Sequence, residues 1–136
     1  MLSLTKKKPC LYFVLLVLAF YAGLTFANLG DRKIGLKAAR VLVHEVLKKH
    51  APSADLIFSP RKDDPDFYFF AATWPNPVGS PVIGYYAVNP ATGDVWDIGC
   101  RRLTTPLLRK RQNEIHRQFG FSEKEYRVLR DKKPIC

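Results

Sequence analysis

Cysteine and histidine are both scarce in this 136-residue chain, three of each, and the way they are spread narrows its chemistry. No CxxC pair occurs and no Cys and His cluster has metal-ligand spacing, which removes the usual structural zinc sites. His44, His50 and His116 are scattered, so surface or capping roles fit them better than catalysis. Asp63, Asp64 and Asp66 crowd one turn without the ligand spacing of an EF-hand and read as a solvated turn. Asp94 and Asp97 read as turn and surface groups. Nothing in the sequence marks a nucleophile beside a base or a carboxylate pair in a pocket. Internal repeats and low-complexity segments are missing too. The expectation is a chain that is not an enzyme and takes no cofactor and no metal.

Long apolar runs are limited to one. Lys6, Lys7 and Lys8 precede an uncharged stretch from Pro9 to Gly30 whose centre, Leu11 to Phe26, is almost wholly apolar. That is the layout of a secretory signal. Thr25 and Ala27 place small residues where a signal peptidase reads, which gives a signal peptide over 1–27 with cleavage after Ala27. An uncleaved membrane anchor is the competing reading, because about 18 apolar residues can span a bilayer. Both readings keep the lysines in the cytoplasm and export a single α+β domain, 28–136, to a periplasmic or secreted location.

Export changes the meaning of the cysteines. Cys10 lies within the leader, whereas Cys100 and Cys136 remain, and two cysteines in an oxidising compartment point to one disulfide. Such a bond closes a loop of about 37 residues, worth about 4 kcal/mol in the chain-entropy account. It also explains why the hairpin "YYAVNPATGDVWDIGC" stops at a cysteine: Cys100 is the clip for the carboxyl-terminal segment.

Acidic residues are in deficit, 12 against 22 lysines and arginines, and the deficit is local. Eight basic and eight acidic residues cancel between Asn28 and Gly99, while eleven basic and four acidic residues between Cys100 and Cys136 leave plus seven. Apolar periodicity gives an amphipathic helix from Asp31 to His50, with Ala39, Leu42, Val43 and Val46 inward, Asp31 as its cap and the lysines with His50 in its last turn. Strands follow at "ADLIFSP", Phe67 to Trp74, Val82 to Val88 and Val95 to Ile98. Pro75, Pro77 and Pro81 force a projecting loop, "PNPVGSP", between the second and third. "NPATGD" supplies a hairpin turn. A helix from about Thr105 to Phe119 carries a stripe of Leu108, Ile115 and Phe119 and ends at Gly120, and Ser122 with Glu125 open a last short helix by a capping box. The expected fold is α+β: an amino-terminal helix packed on an antiparallel β-meander, then carboxyl-terminal helices tied back by the disulfide. Whether the second sheet face is covered by the tail or left for a partner stays open.

The stretch Ala38 to Ile98, with "KKHAP" closing its helix and "YYAVNPATGDVWDI" closing its sheet, resembles the PepSY type of small exported domain. PepSY domains are similar to the cystatin fold, one helix laid on a curved antiparallel sheet. The resemblance implies peptidase inhibition or regulation outside the cytoplasm. The size and build are also similar to those of small exported bacterial immunity proteins, which neutralise toxins delivered into the periplasm.

These readings combine into a non-catalytic periplasmic binding protein that inhibits a peptidase or neutralises a secreted toxin by occlusion. The candidate contact residues are Trp74, Pro75, Asn76 and Pro77 of the proline loop and Arg101, Arg102, Arg109, Lys110, Arg111 and Arg117 of the basic segment, the latter steering the encounter with an acidic surface. A solvated helix face is the plain alternative for those cations, and contact with a membrane or cell-wall surface is another. Export argues against nucleic acid. Trp74, Tyr85, Tyr86 and Trp96 read as packing aromatics, with a ligand groove as the competing role. The other functional readings are an envelope module holding a small apolar ligand or lipid between helix and sheet, and an anchored structural or regulatory domain. If the leader is cleaved as expected, amino-terminal sequencing of the exported protein begins at Asn28; an intact leader in the membrane fraction at high salt identifies an anchor instead.

Overall fold

Helix α1 (Leu36–Leu47) forms where apolar residues recur at helical spacing, and it buries Ala39, Leu42, Val43 and Leu47. The computed structural model describes residues 32–136, so the expected leader over 1–27 and the expected cap Asp31 lie outside the described residues. The helix is shorter than its sequence pattern. It starts after Gly35, without a side-chain cap, and ends at Leu47. Lys48, Lys49 and His50 fall beyond it, because the Leu47 carbonyl accepts from the amides of both His50 and Ala51 at 2.9 and 2.7 Å. That tight turn sends Ala51 and Ala54 into the core. Among the described residues no helix is long and apolar enough to cross a membrane.

Five strands make one antiparallel meander in sequence order: β1 (Asp55–Phe58), β2 (Tyr68–Thr73), β3 (Val82–Val88), β4 (Val95–Asp97) and β5 (Arg102–Leu103). The two-residue β5 is too short to have left a periodic signal. Period-two alternation sorts the side chains into two faces. Leu56, Phe70, Ala72, Val88 and Val95 face α1 in the main core. Phe67, Ala87 and Trp96 form a smaller cluster, with Phe69 against it. Phe58 meets Tyr68 and Phe70 with ring centroids 6.1 and 5.9 Å apart. Each large side chain fully buried this way contributes about 1.5–3 kcal/mol.

The turn from Asn89 to Asp94 is the surprise, since every residue of it is buried. Asn89 accepts the Ala91 amide at 3.0 Å on its own side chain, and its carbonyl accepts the Gly93 amide at 2.8 Å. Gly93 has φ +74, and a Cβ there would meet Ile115 Cδ1 at 2.6 Å. Both backbone angle and space therefore demand glycine. The Pro90 carbonyl accepts the Ile34 amide at 2.8 Å, so the approach to α1 is pinned to the same turn.

Asp94, expected at the surface, has no solvent exposure at all. Its carboxylate is satisfied from four sides of the sequence. Thr92 Oγ1 donates at 2.8 Å, Gln112 Nε2 at 3.3 Å, and Arg130 donates through both Nε and Nη2 at 3.2 Å. Arg102 Nε lies 3.9 Å away. The bidentate pair with Asp94 raises the Arg130 pKa. A buried carboxylate is tolerable only when paired and hydrogen-bonded in this way.

Helix α2 (Pro106–Phe119) starts at Thr105, whose hydroxyl accepts the Leu108 amide, and stops at Gly120 in the left-handed region, φ 61. It buries Leu108, Gln112 and Ile115, so the expected apolar stripe carries an amide at its centre. Helix α3 (Glu123–Asp131) opens with the expected Ser122–Glu125 capping box but buries none of its own residues. It is held by polar contacts instead: Asn89 Nδ2 donates to the Leu129 carbonyl at 2.9 Å, Arg102 donates to the Arg130 carbonyl, and Arg130 grips Asp94. His116 stacks flat on Tyr126, centroids 3.8 Å apart, closing the α2–α3 corner.

Removing one member of the buried pair leaves the other uncompensated. Arg130→Ala, which strands the fully buried carboxylate, is expected to cost about 3–5 kcal/mol by urea unfolding, and Asp94→Ala somewhat less because the Arg130 guanidinium left behind is partly exposed. The double variant should cost well under the sum; strict additivity would mean the pair does not couple.

Candidate docking surfaces

The expected disulfide is present. Cys100 and Cys136 are joined with Cα atoms 5.8 Å apart. Local chemistry at the end of β4 aims the thiol. Asp97 accepts the amides of Gly99 and Arg101, both at 3.0 Å, and binds the Arg101 guanidinium at 2.8 Å. Burial pushes the Asp97 carboxyl up, yet these hydrogen bonds outweigh it and hold its pKa below the usual value. The turn brings Cys100 to φ 57, a left-handed conformation uncommon for a residue with a side chain.

Beyond α3 the chain becomes a strap across the second sheet face. Ile135 donates its amide to Asp64 at 2.8 Å and its carbonyl accepts from Arg61 at 2.6 Å. Lys132 meets Asp66 at 3.3 Å, and Pro134 is buried. The acidic turn is therefore more than a solvated turn: Asp64 is buried because it anchors the strap. Asp63 instead pairs with Arg61 at 2.6 Å, and the hydrogen bond from Arg61 lowers the Asp63 pKa.

The strap covers half of this face. Phe67, Ala87 and Trp96 are sealed, while Ile57 at 57 %, Tyr85 at 47 % and Ile98 at 64 % exposure are not. Ile57, Ala71 and Tyr85 are one registered row across three strands. Beside that row lies an open groove of about 300 Å³ whose walls include Phe69, Tyr85, Ile98 and Ile135. Trp96 behaves as the core aromatic expected, whereas Tyr85 does not.

The proline loop runs from Trp74 to Pro81, closed by the Trp74 amide donating to the Pro81 carbonyl at 2.8 Å. Trp74, Pro75, Asn76 and Pro77 are all exposed. Register places this loop at the opposite end of β3 from the Asn89–Asp94 turn, against which Gln112 of α2 packs. The two groups of candidate contact residues are therefore not brought into one patch.

The basic candidates also divide. Arg101 is spent on Asp97, Arg102 on Asp94 and the Trp96 ring, and Arg111 on Glu114 at 3.1 Å. Arg109, Lys110 and Arg117 are exposed on α2 and have no ion-pair partner among the described residues. A second open groove, about 320 Å³, runs between α1 and α2 past Ala38, Val41, Leu42 and Ile115. His44 and His50 stay apart from His116, whose Nε2 lies 3.0 Å from the Phe121 carbonyl. No group of three or more potential metal ligands occurs among the described residues.

Sequence reasoning missed the cluster of Asn89, Thr92, Asp94 and Gln112. One signal was available: Gln112 lies at i+4 from Leu108 and i−3 from Ile115, on the inward stripe. Of the arginines that complete the cluster, Arg130 lies 36 residues from Asp94 and gives no spacing to read, while Arg102 reaches it from the neighbouring strand.

No protein-family description matches the chain, and no curated protein matches it. The fold is shared with a chain in the structure of a type VI secretion system effector–immunity complex from Pseudomonas protegens. The TM-score is 0.58 at 22 % identity, over 77 % of this chain and 92 % of that one.

The strap depends on its covalent end. Reduction is expected to lower the unfolding free energy by up to about 4 kcal/mol and to raise the accessibility of Trp96 to a fluorescence quencher. Two thiols that alkylate readily in the untreated protein, with melting indifferent to reductant, would contradict this architecture.

Proposed function

We propose that this chain is an exported, non-catalytic binding protein that neutralises a toxin delivered into the periplasm, acting as an immunity-type protein. The observation that carries the reading is the commitment of its buried polar groups. The one carboxylate with no solvent exposure among the described residues, Asp94, has both oxygens occupied by Thr92, Gln112 and Arg130, which leaves it no open side for a substrate. The surfaces that remain offer contact chemistry: an uncovered row of Ile57, Tyr85 and Ile98, a projecting proline loop, and unneutralised cations on α2. The fold shared with a chain of an effector–immunity complex supports the same conclusion. A sheet stapled at its rim presents these surfaces preformed, so docking costs little ordering entropy.

A peptidase as target is the narrower form of this proposal, and the rigid loop Trp74–Pro81 suits insertion into a cleft. A second reading rests on the groove of about 300 Å³ beside the strap, which has room for a small apolar ligand. The space expected between helix and sheet is filled by Val43, Phe70 and Leu108, so a ligand would sit on the opposite face from the one first expected.

Cells that lose this gene should be killed on contact by parental siblings whose toxin secretion is intact, and the exported chain should restore their survival. The chain lacking residues 1–27, and so kept in the cytoplasm, should not protect. Unimpaired survival of the deletion strain beside its parent would refute the neutralising role. Release of a small molecule on denaturation of the purified protein would favour the second reading.

A further inference from the structure

The charges in the first half of α2 run against the stability of the helix that carries them. A helix favours acids near its amino terminus and cations near its carboxyl terminus, each worth about 0.3–1 kcal/mol. Helix α3 obeys this, with Glu123 and Glu125 in its first turn and Arg130 in its last. Helix α2 has no acid in its first turn, and Arg109 and Lys110 follow directly after Leu108. Its one acid, Glu114, is bound to Arg111. The helix buries Leu108, Gln112 and Ile115, and at about 100° per residue Lys110, Asn113 and Arg117 then fall on the outward line with Arg109 at its flank. All four are exposed. Other arginines of the carboxyl-terminal segment, Arg101, Arg102 and Arg130, are tied to acids of the sheet region. Arg117, in the last turn, suits the helix dipole, but folding gains nothing from Arg109 and Lys110.

We propose that this row, with the adjoining α1–α2 groove, is the surface that meets the neutralised toxin, and that the toxin presents there a compact group of carboxylates around an apolar side chain. This deepens the neutralising reading and rests on it. The row extends about 12 Å from Arg109 to Arg117, the scale of a carboxylate cluster on a folded protein. On one side of it lies the groove of about 320 Å³, whose α2 wall is Arg111, Glu114, Ile115 and Gln118; Val41 is 45 % exposed there, and Leu107 is exposed at the start of the helix. An apolar centre rimmed by cations and an amide is the chemistry of a protein interface, and opposite charge across it steers encounter. The exposed row of Tyr85 and Ile98 lies on the other side of the sheet and is left out of this contact.

The test measures association of the purified mature chain with the toxin that kills the deletion strain, at low and high salt. Arg109→Glu/Lys110→Glu/Arg117→Glu is expected to slow association about tenfold or more at low salt and to flatten the salt dependence. The milder triple change to Gln gives an intermediate effect and guards against a folding defect, which equal melting temperatures exclude. Lys48→Glu/Lys49→Glu, just beyond α1, serves as a charge-reversal control away from the row. Equal association rates for the triple variant and the wild type would overturn the proposed surface while leaving the neutralising role intact. So would loss of binding on Tyr85→Ala/Ile98→Asp alone, or sedimentation of the wild type, but not the triple variant, with phosphatidylglycerol vesicles while toxin binding is unchanged. Failure of the wild type to bind that toxin at any salt would remove both conclusions.

Discussion

A carboxylate with no solvent contact is costly to bury, and this fold is arranged around one. Asp94 ends a tight turn between β3 and β4, and its oxygens draw in three later elements: Arg102 from the neighbouring β5, Gln112 from α2 and Arg130 from α3. The turn carries further anchors, since Pro90 holds the approach to α1 and Asn89 holds α3. Its geometry is fixed locally by the Asn89 side chain and by Gly93, where no Cβ fits against Ile115. The apolar core makes collapse favourable, but apolar contacts are non-directional. The directional bonds to Asp94 set where the carboxyl-terminal helices sit, above all α3, which has no buried side chain of its own.

The disulfide strap solves a different problem. A five-stranded sheet has two faces, and α1 with α2 covers one. About 105 residues leave too little chain for a second helical layer. The strap, the five residues beyond α3, lies on the face that carries Phe67, Ala87 and Trp96, held by a covalent end at Cys100, the two backbone bonds of Ile135 and the buried Pro134. What it cannot reach, the row through Ile57 and Tyr85, remains open. The outer edge of the sheet is handled separately: Arg40 from α1 donates to the Leu56 carbonyl of β1, and a blocked carbonyl makes an edge strand a poorer template for pairing.

Elements whose information is local were legible in the sequence. Residues Val82 to Val88 are an apolar and aromatic run broken only by Gly84 and form β3, Thr105 and Gly120 bound α2, and the Ser122–Glu125 spacing opens α3. The disulfide was legible because the expected export leaves two cysteines with no other role. The length of α1 was misjudged because periodicity carries no information about where Ala51 must turn inward. Asp94 was misjudged because an acid in an NPATGD turn is usually solvated, and only the distant Arg102 and Arg130 make it otherwise. The candidate contacts were legible as residue types but not as a surface. Composition joined the proline loop to the basic segment, and the register of β3 sets them at opposite ends.

The same charge excess resolves into two physical roles once its partners are known. Arg102 and Arg130 are partly shielded and oppose a fully buried acid, so their attraction acts at reduced dielectric and contributes to folding. Arg109, Lys110 and Arg117 stand in water, where a screening length of about 8 Å at physiological salt leaves each with little to gain from acids elsewhere in the chain. A cation in that position lowers no energy until another surface excludes the solvent around it. The plus seven of the carboxyl-terminal segment is therefore not one basic face: part of it is consumed in closing the fold, and the exposed cations without an ion pair among the described residues divide between Arg109, Lys110 and Arg117 on α2, Lys124 and Arg127 on α3, and Lys133 on the strap.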